Sequence, residues 1–74
     1  MIKDKELAKK IVAVVDECSK QLNSTICEVK DNCSKDEFNS YRKAAGFVMG
    51  YIYTDIVAPI YSKHPELEPD ELKN

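Results

Sequence analysis

The segment from residue 44 to residue 61 constrains the fold most, because its eighteen residues include a single charged side chain, Asp55. Its apolar residues recur at helical spacing along more than one row, so more than one side of the predicted helix is apolar. A helix of this kind has to be covered by more than one neighbouring element. We therefore expect a helix that one partner helix alone does not cover.

A second amphipathic pattern precedes this segment and predicts a first helix over about residues 4–32. Its apolar residues follow steps of three and four, as expected of a helix that packs one side against a core. The opposite side is rich in charged residues. The predicted core stripe consists of Leu7, Ile11, Val14, Cys18, Leu22, Ile26, Val29 and Cys33.

A sharp turn at residues 33–34 separates this helix from the next. Ser34 and Glu37 have the spacing of a capping box, and Asn32 is suited to a left-handed residue that ends the first helix. The second helix is predicted from residue 35 to about residue 58, with a possible short extension to residue 63, because Pro59 disfavours a regular helix. Its predicted core stripe consists of Phe38, Tyr41, Ala45, Val48, Ile52 and Ile56.

Two helices of similar length joined by a short turn pack antiparallel. The expected fold is thus all-α, with residues 1–63 forming one helical hairpin. Residues 64–74 carry two prolines and four acidic residues against one lysine. They predict a short acidic tail that is extended or loosely turned, with Leu67 and Leu72 able to dock on the hairpin and the rest in solvent.

The apolar surplus of the second helix predicts a homodimer in which two hairpins form a four-helix bundle. Chains of this size commonly depend on oligomerisation for stability. Two rows on this helix are candidates for contact with the second copy, and the sequence does not decide between them. The first contains Phe47 and Tyr51, and the second contains Gly46 and Gly50. The full predicted interface is Ala44, Gly46, Phe47, Gly50, Tyr51, Thr54, Val57 and Ala58.

Composition excludes several classes of function and indicates a compartment. A net charge of −2 lacks the basic surface of a nucleic-acid-binding protein. The three cysteines lie too far apart on one helix to form disulfides with each other, which favours reduced thiols and the cytoplasm. The charged first residues do not resemble a signal peptide. Cys18 and Cys33 are expected in the core, and Cys27 on the surface.

No group of residues has the pattern of a catalytic, cofactor or metal site. His64 is the only histidine and has no closely spaced second ligand. The expected function is that of a cytoplasmic, non-enzymatic, dimeric protein–protein interaction module. One alternative is a ligand-binding or catalytic pocket near Asp55, Tyr51 and Tyr53. Membrane association is disfavoured, because a spanning helix needs about 20 apolar residues and this segment holds Asp55, three tyrosines and Pro59.

Overall fold

A computed structural model describes residues 1–69, and this part of the chain is helical and contains no strand. Helix α1 spans Lys5–Asn32 and packs against helix α2, Lys35–Ile52. A π-helical turn at Tyr53–Val57 leads into a short helix α3, Ala58–Lys63, and a 3-10 turn follows at Pro65–Leu67. The predicted all-α class and the packed pair of helices are confirmed.

The helix starts are fixed by side-chain caps. The Asp4 carboxylate accepts the backbone N–H of Leu7 at the start of α1. At the start of α2, Ser34 Oγ accepts the N–H of Glu37, and the Glu37 carboxylate accepts the N–H of Ser34, each at 3.1 Å. The predicted capping box is therefore present. The expected left-handed Asn32 is wrong, because the chain leaves α1 through an extended Cys33 with φ −126°.

Pro59 widens the second helix and does not end it. Proline has no N–H to donate, and its ring crowds the carbonyl four residues earlier. The chain accommodates this with a π turn, in which the N–H of Ala58 bonds the carbonyl of Tyr53, five residues back. Helix α3 continues beyond it, so that Ile60 becomes fully buried.

The best-packed region lies where α3 meets the start of α1. Ile60 and Ala8 have no exposed surface there, and only 8% of His64 is exposed. His64 Nε2 lies 2.7 Å from the carbonyl oxygen of Ile2 and donates to it. Its Nδ1 is 3.7 Å from the Glu66 carboxylate, which also pairs with Lys5 at 3.6 Å.

This cluster corrects the predicted extended tail over its first residues. His64 is buried and Pro65–Leu67 forms a 3-10 turn, because the chain beyond α2 reaches the N-terminal end of α1, where His64 bonds Ile2 and Glu66 pairs with Lys5. The expectation for residues 70–74, including Leu72, lies outside the described part of the chain.

Elsewhere the hairpin buries little. Among residues 1–69, the apolar side chains that are buried are Ala8, Ala45 and Ile60. Two helices side by side cover only one strip of each other, so most facing residues remain half-buried. The contact side of α1 follows the line of Ala8, Val15 and Ile26, displaced around the helix from the centre of the predicted stripe.

Candidate functional site

The main surface feature is a set of large apolar side chains left in solvent. On α1, Leu7 and Val14 are 47% and 53% exposed. On α2, Phe47, Val48 and Tyr51 are 59%, 51% and 64% exposed. Ala44 and Cys18 lie among them and are also exposed. We call this set the apolar face: Leu7, Val14, Cys18, Ala44, Phe47, Val48 and Tyr51.

One hydrogen bond shows that both helices contribute to the same side of the hairpin. Thr25 Oγ1 lies 2.6 Å from the hydroxyl of Tyr41. Leu7 is eighteen residues before Thr25, which is five helical turns, so the two side chains share one line on α1. Val48 follows Tyr41 by about two turns of α2. Leu7 and Val48, one from each helix, therefore lie on the same side of the hairpin. Tyr51 and Phe47 continue the apolar surface around α2 toward the edge that faces away from α1.

This face corrects part of the predicted core. Leu7, Val14, Cys18 and Cys33 were expected to face α2, and all four are exposed. Val48 was expected to face α1 and is half in solvent. The physical reason is that the apolar arc of each helix is wider than the strip that one neighbouring helix covers. The signal for this was present in the sequence, where Val12 and Val15 widen the arc of α1.

A shallow hollow lies near the turn on the same side. It is lined by residues at the end of α1 and the start of α2, and we call it the end hollow: Val29, Cys33, Asp36, Glu37, Ser40, Tyr41 and Ala44. The end hollow and Leu7 thus lie at opposite ends of one side of the molecule, because Leu7 is in the first turn of α1.

Of the predicted interface residues, six of eight are exposed: Ala44, Gly46, Phe47, Gly50, Tyr51 and Thr54. Val57 and Ala58 are half-buried. A Cβ atom added at Gly46 or Gly50 would have no atom within 4 Å, so no close contact inside the protomer requires glycine there.

The opposite side of the hairpin holds a groove of about 440 Å³. Val12 and Val15 line one wall, and Ile52 and Tyr53 line the other. Tyr61 lies at one end, where burial raises the pKa of its hydroxyl and the Asp16 carboxylate raises it further. Asp16 itself pairs with Lys20 at 3.5 Å.

The structure does not bring together the residues of the alternative pocket. Tyr53 lines the groove, whereas Tyr51 is on the apolar face. Asp55 is exposed, and its carboxylate accepts a hydrogen bond of 3.2 Å from Thr54. Cys27 is exposed as expected.

Nothing in residues 1–69 resembles a metal centre, since no three potential ligands cluster there. Within the same residues, no helix is long and apolar enough to cross a membrane. Comparison with protein-family models, with curated proteins and with solved structures finds no match to this chain.

Proposed function

We propose that this chain is a non-enzymatic, cytoplasmic protein–protein interaction module that works as a homodimer, with a second copy covering the apolar face. The observation that carries the proposal is the contrast between the exposed apolar face and the small core. Large apolar side chains cluster on one side, while few are buried within the protomer. Clusters of this kind mark protein contact surfaces.

The size of the molecule supports a second copy as the occupant. The protomer measures 44 × 23 × 20 Å, so its long sides match the area of about 800 Å² per partner that stable interfaces bury. Two hairpins stacked on these faces give the four-helix bundle, which buries apolar residues that a lone hairpin leaves in water. Of the two candidate rows, the row of Phe47 and Tyr51 is the one that belongs to the apolar face.

Light scattering at micromolar concentration tests the proposal. We expect twice the chain mass of 8.4 kDa. Phe47→Glu should give a monomer or an unfolded chain, because the charge would be buried in the interface. Asn39→Glu introduces the same charge at an exposed position of α2 away from the face and should stay dimeric. A folded wild-type monomer, or a dimeric Phe47→Glu variant, would overturn the proposal.

A small-ligand function is the second candidate, because the groove has a volume in the range of ligand sites and mostly apolar walls with tyrosines. Fluorescence of an anilinonaphthalene sulfonate dye tests it. If the groove binds the dye, Ser19→Leu should weaken binding by narrowing the groove, whereas Val14→Ser on the apolar face should leave it unchanged. The reverse pattern would assign dye binding to the apolar face.

A further inference from the structure

The apolar face is complementary to itself when one copy is turned end over end. Leu7 projects at one end of α1, and the end hollow lies at the other end of the same side. Leu7 is twelve residues before Ser19. The hollow is lined on this side by Val29 and Cys33, whose midpoint is twelve residues after Ser19. A two-fold axis across the helices at Ser19 therefore places Leu7 of each copy over the hollow of the other.

The charges that border the face have the same symmetry. Lys10 and Glu28 are eighteen residues apart and thus lie on one line along α1, beside the apolar face. Each is nine residues from Ser19. Neither forms an ion pair with another residue of the described chain. The same two-fold axis brings Lys10 of one copy opposite Glu28 of the other, on the same edge.

The position of α2 follows from the Thr25–Tyr41 hydrogen bond, which sets these two residues at one level. Ser19 lies six residues before Thr25 on α1, and Phe47 lies six residues after Tyr41 on α2. Because the helices are antiparallel, Ser19 and Phe47 are also at one level. The axis that passes Ser19 on α1 therefore passes Phe47 on α2. Cys18, which is exposed and lies close to the line of Leu7 and Thr25, would meet its own counterpart in the second copy.

We infer that two copies associate through their apolar faces about a two-fold axis perpendicular to the helices, with the turns at opposite ends and Leu7 of each copy seated in the end hollow of the other. This inference rests on the proposed homodimer and adds its geometry. The other face-to-face arrangement has its axis parallel to the helices. It would bring Glu28, Asp36 and Glu37 of both copies to one end, where like charges repel.

The native cysteines provide the test. A variant with Cys18 as the sole cysteine is oxidised with copper–phenanthroline, which removes two electrons and two protons as one disulfide forms. The variant with Cys27 alone is the control, because Cys27 is also exposed but faces away from the axis. Covalent dimers of the Cys18 variant should form at least about tenfold faster, since the paired thiols have a millimolar effective concentration.

A second pair tests the ends of the interface. Leu7→Cys combined with native Cys33, and with Cys18 and Cys27 replaced by serine, should give dimers joined between different chains. Within one chain these positions are separated by twenty-six residues of helix, too far for a disulfide. Lys10→Glu should raise the dimer Kd by about twofold to fivefold, and adding Glu28→Lys should restore it.

The outcomes separate the two proposals. If sedimentation shows a monomer, the homodimer and its geometry both fail. If it shows a dimer in which the Cys18 variant crosslinks no faster than the Cys27 variant, the homodimer stands and the perpendicular axis is overturned. Crosslinking at both Cys18 and the Leu7→Cys/Cys33 pair supports the geometry.

Discussion

The hydroxyl of Tyr41 donates a hydrogen bond of 2.6 Å to Oγ1 of Thr25, and this bond joins α1 to α2 beside the apolar face. The direction of the bond follows from the second contact of Thr25. Its Oγ1 lies 2.6 Å from the carbonyl of Leu22 and donates its proton there. Tyr41 is therefore the donor, and one side-chain pair sets the relative level of the two helices.

Removing this donor should destabilise the hairpin without changing its fold. We expect Tyr41→Phe to lower the free energy of unfolding by about 0.5–1.5 kcal/mol, the net value of one hydrogen bond. Urea unfolding followed by circular dichroism at a fixed chain concentration measures this. Tyr53→Phe is the matched control, because Tyr53 is exposed, lies outside the apolar face, and its hydroxyl has no hydrogen bond with another described residue. An equal loss in both variants would contradict the role of the bond.

His64 should contribute more to the free energy of unfolding than its position in the sequence, after the second helix, suggests. His64→Ala removes the hydrogen bond to Ile2 and leaves space beside Ile60, so we expect a loss of about 1–3 kcal/mol. Thermal unfolding measures the loss, with exposed Lys63→Ala as the control. If the two variants unfold at the same temperature, the contact between α3 and the N-terminus adds no stability.

The capping box should make stability depend on pH. Hydrogen bonds from the backbone and side chain of Ser34 lower the pKa of the Glu37 carboxyl below 4.5. A carboxyl with a lowered folded pKa adds stability above its unfolded pKa, and this contribution is lost as the pH falls through the folded pKa. Wild type should therefore be more stable than Glu37→Gln at neutral pH, with a difference that vanishes in acid. A difference that is constant with pH would exclude this linkage.

The row that contains Gly46 and Gly50 allows a prediction about helix propensity. Because a Cβ at Gly46 has open space around it, Gly46→Ala should stabilise α2 by about 0.5–1 kcal/mol. Chemical unfolding measures this gain, and light scattering should show an unchanged association state. Loss of the dimer in this variant would indicate that the glycine row, and not the row of Phe47 and Tyr51, meets the second copy.

The sequence was informative where the signal is local. The spacing of Ser34 and Glu37 predicts the capping box, and the recurrence of apolar residues predicts both helices. The same recurrence gives the direction of an apolar arc but not which part of it a neighbour covers. Leu7, Val14 and Val48 were therefore predicted as core, although the structure leaves them on the apolar face.

The position of His64 could not be read from its neighbours in the sequence. Pro65 and Pro69 follow His64 and indicate an irregular segment, and this local expectation is correct. Its burial depends on contact with the other end of the chain, where its ring bonds the carbonyl of Ile2. Contacts of this kind arise only from tertiary packing, and neither propensity nor periodicity reports them.

The hydrogen bond between His64 and Ile2 also bears on how the chain folds. It joins residues 62 positions apart, whereas the hairpin contacts close much shorter loops near the turn. Short loops close at lower entropic cost and folding rates fall as contacts become less local, so the hairpin should form first from the turn outward. The closure at His64 would then be the last step of folding and the first to open, which amide hydrogen exchange at the two ends of α1 can resolve.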